Sequence, residues 1–186
     1  MVYVNDDIYG FDLEAALASI SAQRREQALR FRHELGRRQC VLAYLLLKRA
    51  LREKYGIDEN PLFDYGEHGK PVIVNRPEIH FNLSHCREAV CCAVSNHPVG
   101  IDVESIREYK TGLVRYTMND DEVASIMAAD RPDVAFTRLW TMKEARLKLT
   151  GEGITNNLKT VLDDHRYRYT TTEHIGRGYI YTVCEE

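Results

Sequence analysis

Apolar residues recur every three or four positions in some stretches of this chain and come in short runs in others, so helices and strands can be told apart by period. Met1 to Val4 has the look of a short strand. From Asp12 to Arg30 a helical period (Leu13, Ala16, Leu17, Ile20, then Ala28 and Phe31) is broken by a polar middle. Arg37 to Tyr55 continues helically, with Cys40, Tyr44, Leu47 and Leu51 on one stripe and Gly56 as its stop. The period then shortens. Leu62–Tyr65, Val72–Val74, Ile79–Leu83, Ala89–Val94 and Val99–Val103 are short β-rich runs punctuated by Gly, Pro and Asn.

A second helical block follows. Asn119 is placed to cap a helix over Asp120 to Ala129, with Glu122 as its capping-box partner. Pro132 opens a long helix to Thr150 that Gly151 closes. Arg166 to Thr172 and Gly178 to Val183 read as strands. The order strand–helices–strands, then helices–strands, predicts an α+β fold. It divides into residues 1–98 and 99–186, two half-sized α+β units with no visible sequence repeat. No low-complexity linker separates them, so they are expected to pack tightly.

Composition narrows the class. The chain has 186 residues, 25 Lys+Arg against 28 Asp+Glu and 44% apolar residues, an ordinary globular make-up long enough for a sizeable core. A net charge of −3 offers no basic footprint for nucleic acid. The longest apolar run, Val41 to Leu47, is seven residues, against the roughly 20 a spanning helix needs. The start, MVYVNDD, carries acids where a signal peptide carries positive charge. Five cysteines, an odd number without CxxC spacing, point to reduced thiols in a cytoplasmic setting. Cys91 and Cys92 are adjacent in a strand-like run, so at most one faces any single site.

Three constellations carry candidate chemistry. In Gly100-Ile101-Asp102-Val103-Glu104 the strand period puts Asp102 and Glu104 on one face and Ile101 and Val103 on the other, while Gly100 permits close approach of backbone or ligand. Taken alone, such a strand has its acids in water. Glu144, however, shares a helical stripe with Phe136, Trp140 and Leu147. A carboxylate there needs a partner. One reading pairs it with Lys148 at i,i+4, worth only about 0.2–0.5 kcal/mol in the open. The other converges Asp102, Glu104 and Glu144 across a cleft. At close range like charges cost on the order of 1–4 kcal/mol per pair, so three carboxylates call for a cation. All-oxygen ligands select a hard one, Mg²⁺ or Mn²⁺, and Mg²⁺ keeps open positions for phosphates. The third constellation supplies cations and donors for phosphate: Gly69-Lys70-Pro71, the strand end Phe81-Asn82-Leu83-Ser84-His85, Arg37 and Arg38, and Arg24 and Arg25. Each is weak by itself.

GKP, FNLSH, GIDVE and WTMKEARLK, in that order, resemble the motifs of the surfactin-type 4′-phosphopantetheinyl transferases. The match runs from about Arg24 to Gly153, roughly two-thirds of the chain, with the last two motifs about forty residues apart. The resemblance implies two similar α+β halves forming an intramolecular pseudo-dimer with coenzyme A in the groove between them. It implies attack by a serine hydroxyl of an apo acyl or peptidyl carrier protein on the β-phosphate of coenzyme A, with release of 3′,5′-ADP. By this similarity Asp102, Glu104 and Glu144 are the metal ligands, with Mg²⁺ the expected ion, and Lys148 contacts a coenzyme A phosphate. Lys143 belongs to the same motif. Ser84 and His85 bind the 3′-phosphoadenosine part, Lys70 and Pro71 the adenine side, and Arg38 the 3′-phosphate, with Arg24 a second candidate. Glu144 is the implied base.

The chain departs from the family where Cys86 follows Ser84-His85, a position at which serine is common, and in its 33 residues past Gly153 and its first twenty, which carry no motif. The segment Ser105–Met118 has Arg107, Lys110 and Arg115 against Glu108, with Tyr109, Leu113, Val114 and Tyr116 expected at the surface. It reads either as a dock for an acidic carrier or as an ordinary connection. Two other functions compete: a catalytically silent coenzyme A or nucleotide-binding module, and a Mg²⁺-dependent nucleotide phosphohydrolase. A monomer is expected, since the chain carries both halves of its own site.

Overall fold

A computed structural model describes residues 1–66, 69–153 and 158–186. The chain forms β1 (Val2–Asn5), α1 (Leu13–Ser19), α2 (Ala22–Leu29), α3 (Glu34–Tyr55), β2 (Phe63–Tyr65), β3 (Pro71–Ile73), β4 (His80–His85), β5 (Val90–Ser95) and β6 (Val99–Ser105). There follow α4 (Thr111–Thr117), α5 (Asp120–Ala128), α6 (Pro132–Thr150), β7 (Arg168–His174) and β8 (Tyr179–Glu185), with single 3-10 turns at Leu158–Thr160 and Ile175–Arg177. The fold is α+β, as the periodicity predicts.

Two antiparallel three-stranded sheets form the frame, β1-β5-β4 and β6-β8-β7, and β2 and β3 make a separate hairpin. Each sheet carries one long helix. Val90, Cys92 and Val94 of β5 pack with Tyr44, Leu47 and Leu51 of α3 in the larger core. The other face of β5, with Cys91 and Ala93, packs against Ile101 and Val103 of β6 and Val183 of β8. The adjacent cysteines thus serve opposite faces, and all five thiols are free and buried. Ala145 and Leu149 of α6 cover the remaining face of the second sheet against Cys184. No helix among the described residues is long and apolar enough to cross a membrane.

Local chemistry sets the boundaries. Asn119 accepts from the Glu122 amide at 2.8 Å while Glu122 accepts from the Asn119 amide at 2.8 Å, the expected capping box. Such a cap is worth about 1 kcal/mol. Pro132 opens α6, and Gly151 closes it in the left-handed conformation (φ 76°). The first helical block is two helices: the Asp12 carboxylate caps α1, and Ser21 Oγ accepts from Arg24 N to start α2. Helix α3 begins three residues before Arg37, and its N-cap, His33, makes no side-chain cap that would have marked the start. The last two strands run to His174 and Glu185, beyond the predicted ends, because β8 pairs with β6 from Val99↔Glu185 to Ser105↔Tyr179 and with β7 from Arg168↔Glu185 to His174↔Tyr179.

Candidate active site

β6 shows the alternation its sequence requires. Ile101 and Val103 are buried towards the first sheet, whereas Gly100, Asp102 and Glu104 face α6. A Cβ on Gly100 would stand 1.9 Å from the Ala145 carbonyl oxygen, so its missing side chain is where the α6 backbone rests on the strand. This close packing brings Glu144 and Lys148 of α6 to Asp102 and Glu104.

Lys148 does not pair with Glu144 as the i,i+4 spacing suggests. Its Nζ donates to Asp102 Oδ1 at 2.6 Å and to Ser84 Oγ at 2.8 Å, uniting β4, β6 and α6. Asp102 is 3% exposed, and its Oδ2 has no hydrogen-bond partner. That is an uncommon state for a buried carboxylate oxygen.

The other two carboxylates register the crowding. Burial pushes the Glu144 pKa up to about 7, the Asp102 charge adds to this, Lys148 opposes it and Glu104 adds again. Glu104 also moves up, from burial and then Asp102, while a hydrogen bond from Trp140 and the charge of Lys148 pull it back. The three acids therefore share one electrostatic neighbourhood. Even so, no three His, Cys, Asp or Glu side chains among the described residues already stand as an ion cage.

A cavity of about 260 Å³ opens beside this cluster, lined by Glu144 and Lys148 on one side and Gly69, Lys70, Pro71 and Asn82 on the other. Lys70 Nζ donates at 2.5 Å to the Leu149 carbonyl at the end of α6, and burial lowers its pKa. It thus meets the negative end of the helix. A second cavity of about 490 Å³ shares Lys70 and Pro71 and continues past Arg76 and His80. A third, of about 420 Å³, lies on the Glu104 side between Arg107, Tyr109, Lys110, Leu113 and Trp140.

The remaining expected residues divide. His85, at the exposed end of β4, has its pKa lowered by crowding of neighbouring protein and then by the Lys148 ammonium. Ser84 is buried in the Asp102–Lys148 contact. Arg38 does not line the first cavity. It donates to Glu34 at 2.7 Å and to the Phe11 carbonyl at 3.0 Å, beside the Tyr9 and Phe11 rings. Arg24 is buried, and both Nε and Nη2 donate to the Cys40 carbonyl, so it is a strut between α2 and α3. Lys143 is wholly buried and donates to Glu122 Oε2 and to the Leu158 carbonyl, both at 2.7 Å. It braces α6 against the start of α5. Trp140 stands out in the sequence through its apolar stripe and the WTMKEARLK motif, but not as the hydrogen-bond donor to Glu104 that it is, and Asn82 stands there only as part of the FNLSH strand end. A buried-strand Asn two residues before Ser84 was the available signal for the second.

Residues 98–184 match the family model of the 4′-phosphopantetheinyl transferase superfamily. A 4′-phosphopantetheinyl transferase of Bacillus subtilis is 30% identical over 177 residues, 94% of this chain and 77% of that one. The chain belongs to the 4′-phosphopantetheinyl transferase superfamily. It is also similar to 4′-phosphopantetheinyl transferase psf-1 of Bacillus pumilus, at 36% identity over 144 residues, 76% of this chain and 62% of the relative. With 4′-phosphopantetheinyl transferase Sfp of Bacillus subtilis (strain 168) it shares 27% identity over 200 residues, 98% of this chain and 89% of the relative. The matched family segment contains the Asp102–Glu104 strand and the Glu144–Lys148 helix, the two elements that meet at Gly100.

Proposed function

We propose that this chain moves the 4′-phosphopantetheine group of coenzyme A onto a serine of an apo acyl or peptidyl carrier protein, releasing 3′,5′-ADP. The carrying observation is the meeting of Asp102, Glu104 and Glu144 with Lys148 beside one cavity, whose far wall is Lys70-Pro71. The two sheet-and-helix units, residues 1–98 and 99–186, would act as the halves of an intramolecular pseudo-dimer with this cleft between them.

The donor set fits a hard divalent cation, Mg²⁺ or Mn²⁺. Asp102, Glu104 and Glu144 offer only oxygen ligands, and the unpartnered Asp102 Oδ2 is the atom such an ion would satisfy. Bound there, the ion supplies charge to offset the pyrophosphate and to orient the leaving group. In the transfer, the serine Oγ forms a bond to the β-phosphorus, the bridging P–O bond breaks, and the electron pair leaves with 3′,5′-ADP. The hydroxyl proton must go to a base. Glu144 is the proposed acceptor, directly or through a water. Lys148 is placed to stabilise charge on the transferring phosphate. Lys70, Pro71 and His85 would take the nucleotide end, and Arg38 would reach the 3′-phosphate by exchanging Glu34 for it.

The carrier is proposed to dock on the Glu104 side. Arg107, Lys110 and Arg115 suit an acidic partner, with Tyr116 and Leu113 exposed among them. Val114, expected at the surface, is instead fully buried on the inner side of α4, in a cluster with Met118, Ile126 and Phe136. The setting proposed is cytoplasmic and the working form a monomer.

The test is incubation with coenzyme A, Mg²⁺ and an apo carrier protein, reading carrier mass and nucleotide products together. Gain of one phosphopantetheine on the carrier with equimolar 3′,5′-ADP is the expected result. Coenzyme A binding without transfer would make the chain a silent module, and nucleotide cleavage with an unmodified carrier would make it a phosphohydrolase.

A further inference from the structure

Between α6 and the second sheet lies a row of buried hydroxyls that the transfer step does not use. Asp102, Thr182 and Thr171 stand side by side on β6, β8 and β7. Thr182 Oγ1 is 2.8 Å from Thr171 Oγ1 and 2.8 Å from Thr141 Oγ1 of α6. Thr141 also donates to the Arg138 carbonyl at 2.9 Å. Thr141 and Thr182 are both 0% exposed. None of the three lines the cavities beside Glu144 and Glu104, so these contacts lie outside the space a nucleotide, an ion or a carrier would fill.

Proton count gives these bonds a direction. A threonine hydroxyl has one proton to donate, and the Arg138 carbonyl can only accept. Thr141 spends its proton there, so Thr182 donates to Thr141 and Thr171 donates to Thr182. The chain runs from the sheet into the helix, and the Thr182–Thr141 bond is where it crosses. Thr141 shares the sheet-facing stripe of α6 with Ala145 and Leu149, which pack on Cys184 and close over Gly100. That packing limits how near the helix comes, but apolar contact is non-directional. A hydrogen bond has a preferred angle. The Thr182–Thr141 bond therefore fixes the rotation of α6 about its own axis, which the Gly100 contact alone does not.

We propose that Thr182, acting through Thr141, is a positioning residue that sets the rotation of α6 and so holds the Glu144 carboxylate opposite Asp102 and Glu104. The consequence for metal binding and turnover rests on the transferase reading; the hydrogen bonds do not. Glu144 follows Thr141 by three positions and directly precedes Ala145, so turning the helix over Gly100 carries its carboxylate sideways across the site. Loss of the Thr182 hydroxyl breaks the bond between sheet and helix. Loss of the Thr171 hydroxyl removes one bond as well, but within the sheet, and leaves Thr182 still donating to Thr141.

The test compares the full chain with Thr182→Val, Thr182→Ser and Thr171→Val. Mn²⁺ binding is measured by electron paramagnetic resonance, kcat by carrier modification, melting by calorimetry, and the amide signals of Glu144 and Lys148 by NMR. Thr182→Val keeps the branched shape without the hydroxyl. It should weaken Mn²⁺ binding and lower kcat, each by about three- to tenfold, the worth of one hydrogen bond. Thr182→Ser keeps the hydroxyl and should restore both. Thr171→Val should lower the melting temperature yet leave Mn²⁺ binding and kcat at the wild-type values. If Thr182→Val does not fold, Thr141→Val cuts the same bond from the helix side and is read in its place. Equal losses in Thr171→Val and Thr182→Val, or wild-type Mn²⁺ binding in a folded Thr182→Val, overturn the proposal. A wild-type chain that binds neither coenzyme A nor Mn²⁺ overturns the transferase reading instead, and the amide signals then decide the positioning. Glu144 and Lys148 signals displaced in Thr182→Val but not in Thr171→Val support it, and signals unmoved in both overturn it.

Discussion

Replacing Gly100 with alanine adds one methyl group where α6 rests on β6. The new Cβ would lie 1.9 Å from Ala145 O, 2.7 Å from Leu149 N and 3.0 Å from Ala145 C, all backbone atoms of the helix. No flexible side-chain end is available to yield. Ordinary contact begins near 3.4 Å, so helix and strand must part by roughly 1.5 Å at that point. Overpacking of this kind costs about 1–3 kcal/mol. For a chain of this size that lowers the melting temperature by roughly 2–12 °C. The catalytic effect should be larger than the thermal one. The same contact holds Glu144 and Lys148 opposite Asp102 and Glu104, and a displacement of about 1 Å can cost on the order of 100-fold in rate. Calorimetric melting and carrier-modification rates on the same preparation give both numbers. A Gly100→Ala chain with wild-type melting and wild-type turnover would refute the claim that this contact sets the site.

Other outcomes follow from single residues. Lys143→Met leaves Glu122 half-buried without its cation and should cost about 3–5 kcal/mol in urea unfolding, part of which a second change, Glu122→Gln, which removes the charge and keeps the capping box, should return. Glu144→Gln should abolish transfer while coenzyme A still binds measurably in calorimetry. In metal-free wild type the raised Glu144 pKa means the folded state holds its proton longer than the unfolded one. Its stabilising share is therefore present below the ordinary value of 4.5 and lost as pH rises through about 7. Stability of Glu144→Gln should fall less over that interval, and identical pH profiles would count against the burial argument. Asp6 has the opposite sign. Hydrogen bonds from Arg177 and Tyr179 lower its pKa, opposed by partial burial. Asp6→Asn should therefore be less stable than wild type above pH 3.8, and the gap should close as acid protonates Asp6 in the folded chain.

Local rules made much of this fold readable before any coordinates. Glu122 three positions after Asn119, Pro132 ahead of an apolar period and Gly151 after it each encode a boundary within a few residues, and each is where those residues put it. The period-2 alternation of Gly100 to Glu104 likewise separates the acids from the core. Long-range choices were not encoded locally. Lys148 has Glu144 one turn away, yet its ammonium goes to Asp102, 46 positions distant, because that carboxylate is buried and has Ser84 beside it. Arg24, Arg38 and Lys143 look alike as cations on helices. Only packing shows that Arg24 is a strut, that Lys143 closes a buried ion pair, and that Arg38 is occupied by Glu34. Asn82 accepts from the Ile101 amide because no backbone ladder joins β4 and β6, a property of the tertiary arrangement.

The most direct measurement of the central claim is the intact mass of an apo carrier protein after incubation with coenzyme A, Mg²⁺ and the wild-type chain, run beside Asp102→Ala, Glu104→Ala and Glu144→Gln. The carrier should gain one phosphopantetheine with the wild type and none on the same timescale with any of the three variants, and chelating the metal should silence the wild type. Unmodified carrier in the wild-type reaction, or full modification by the folded carboxylate variants, would contradict it.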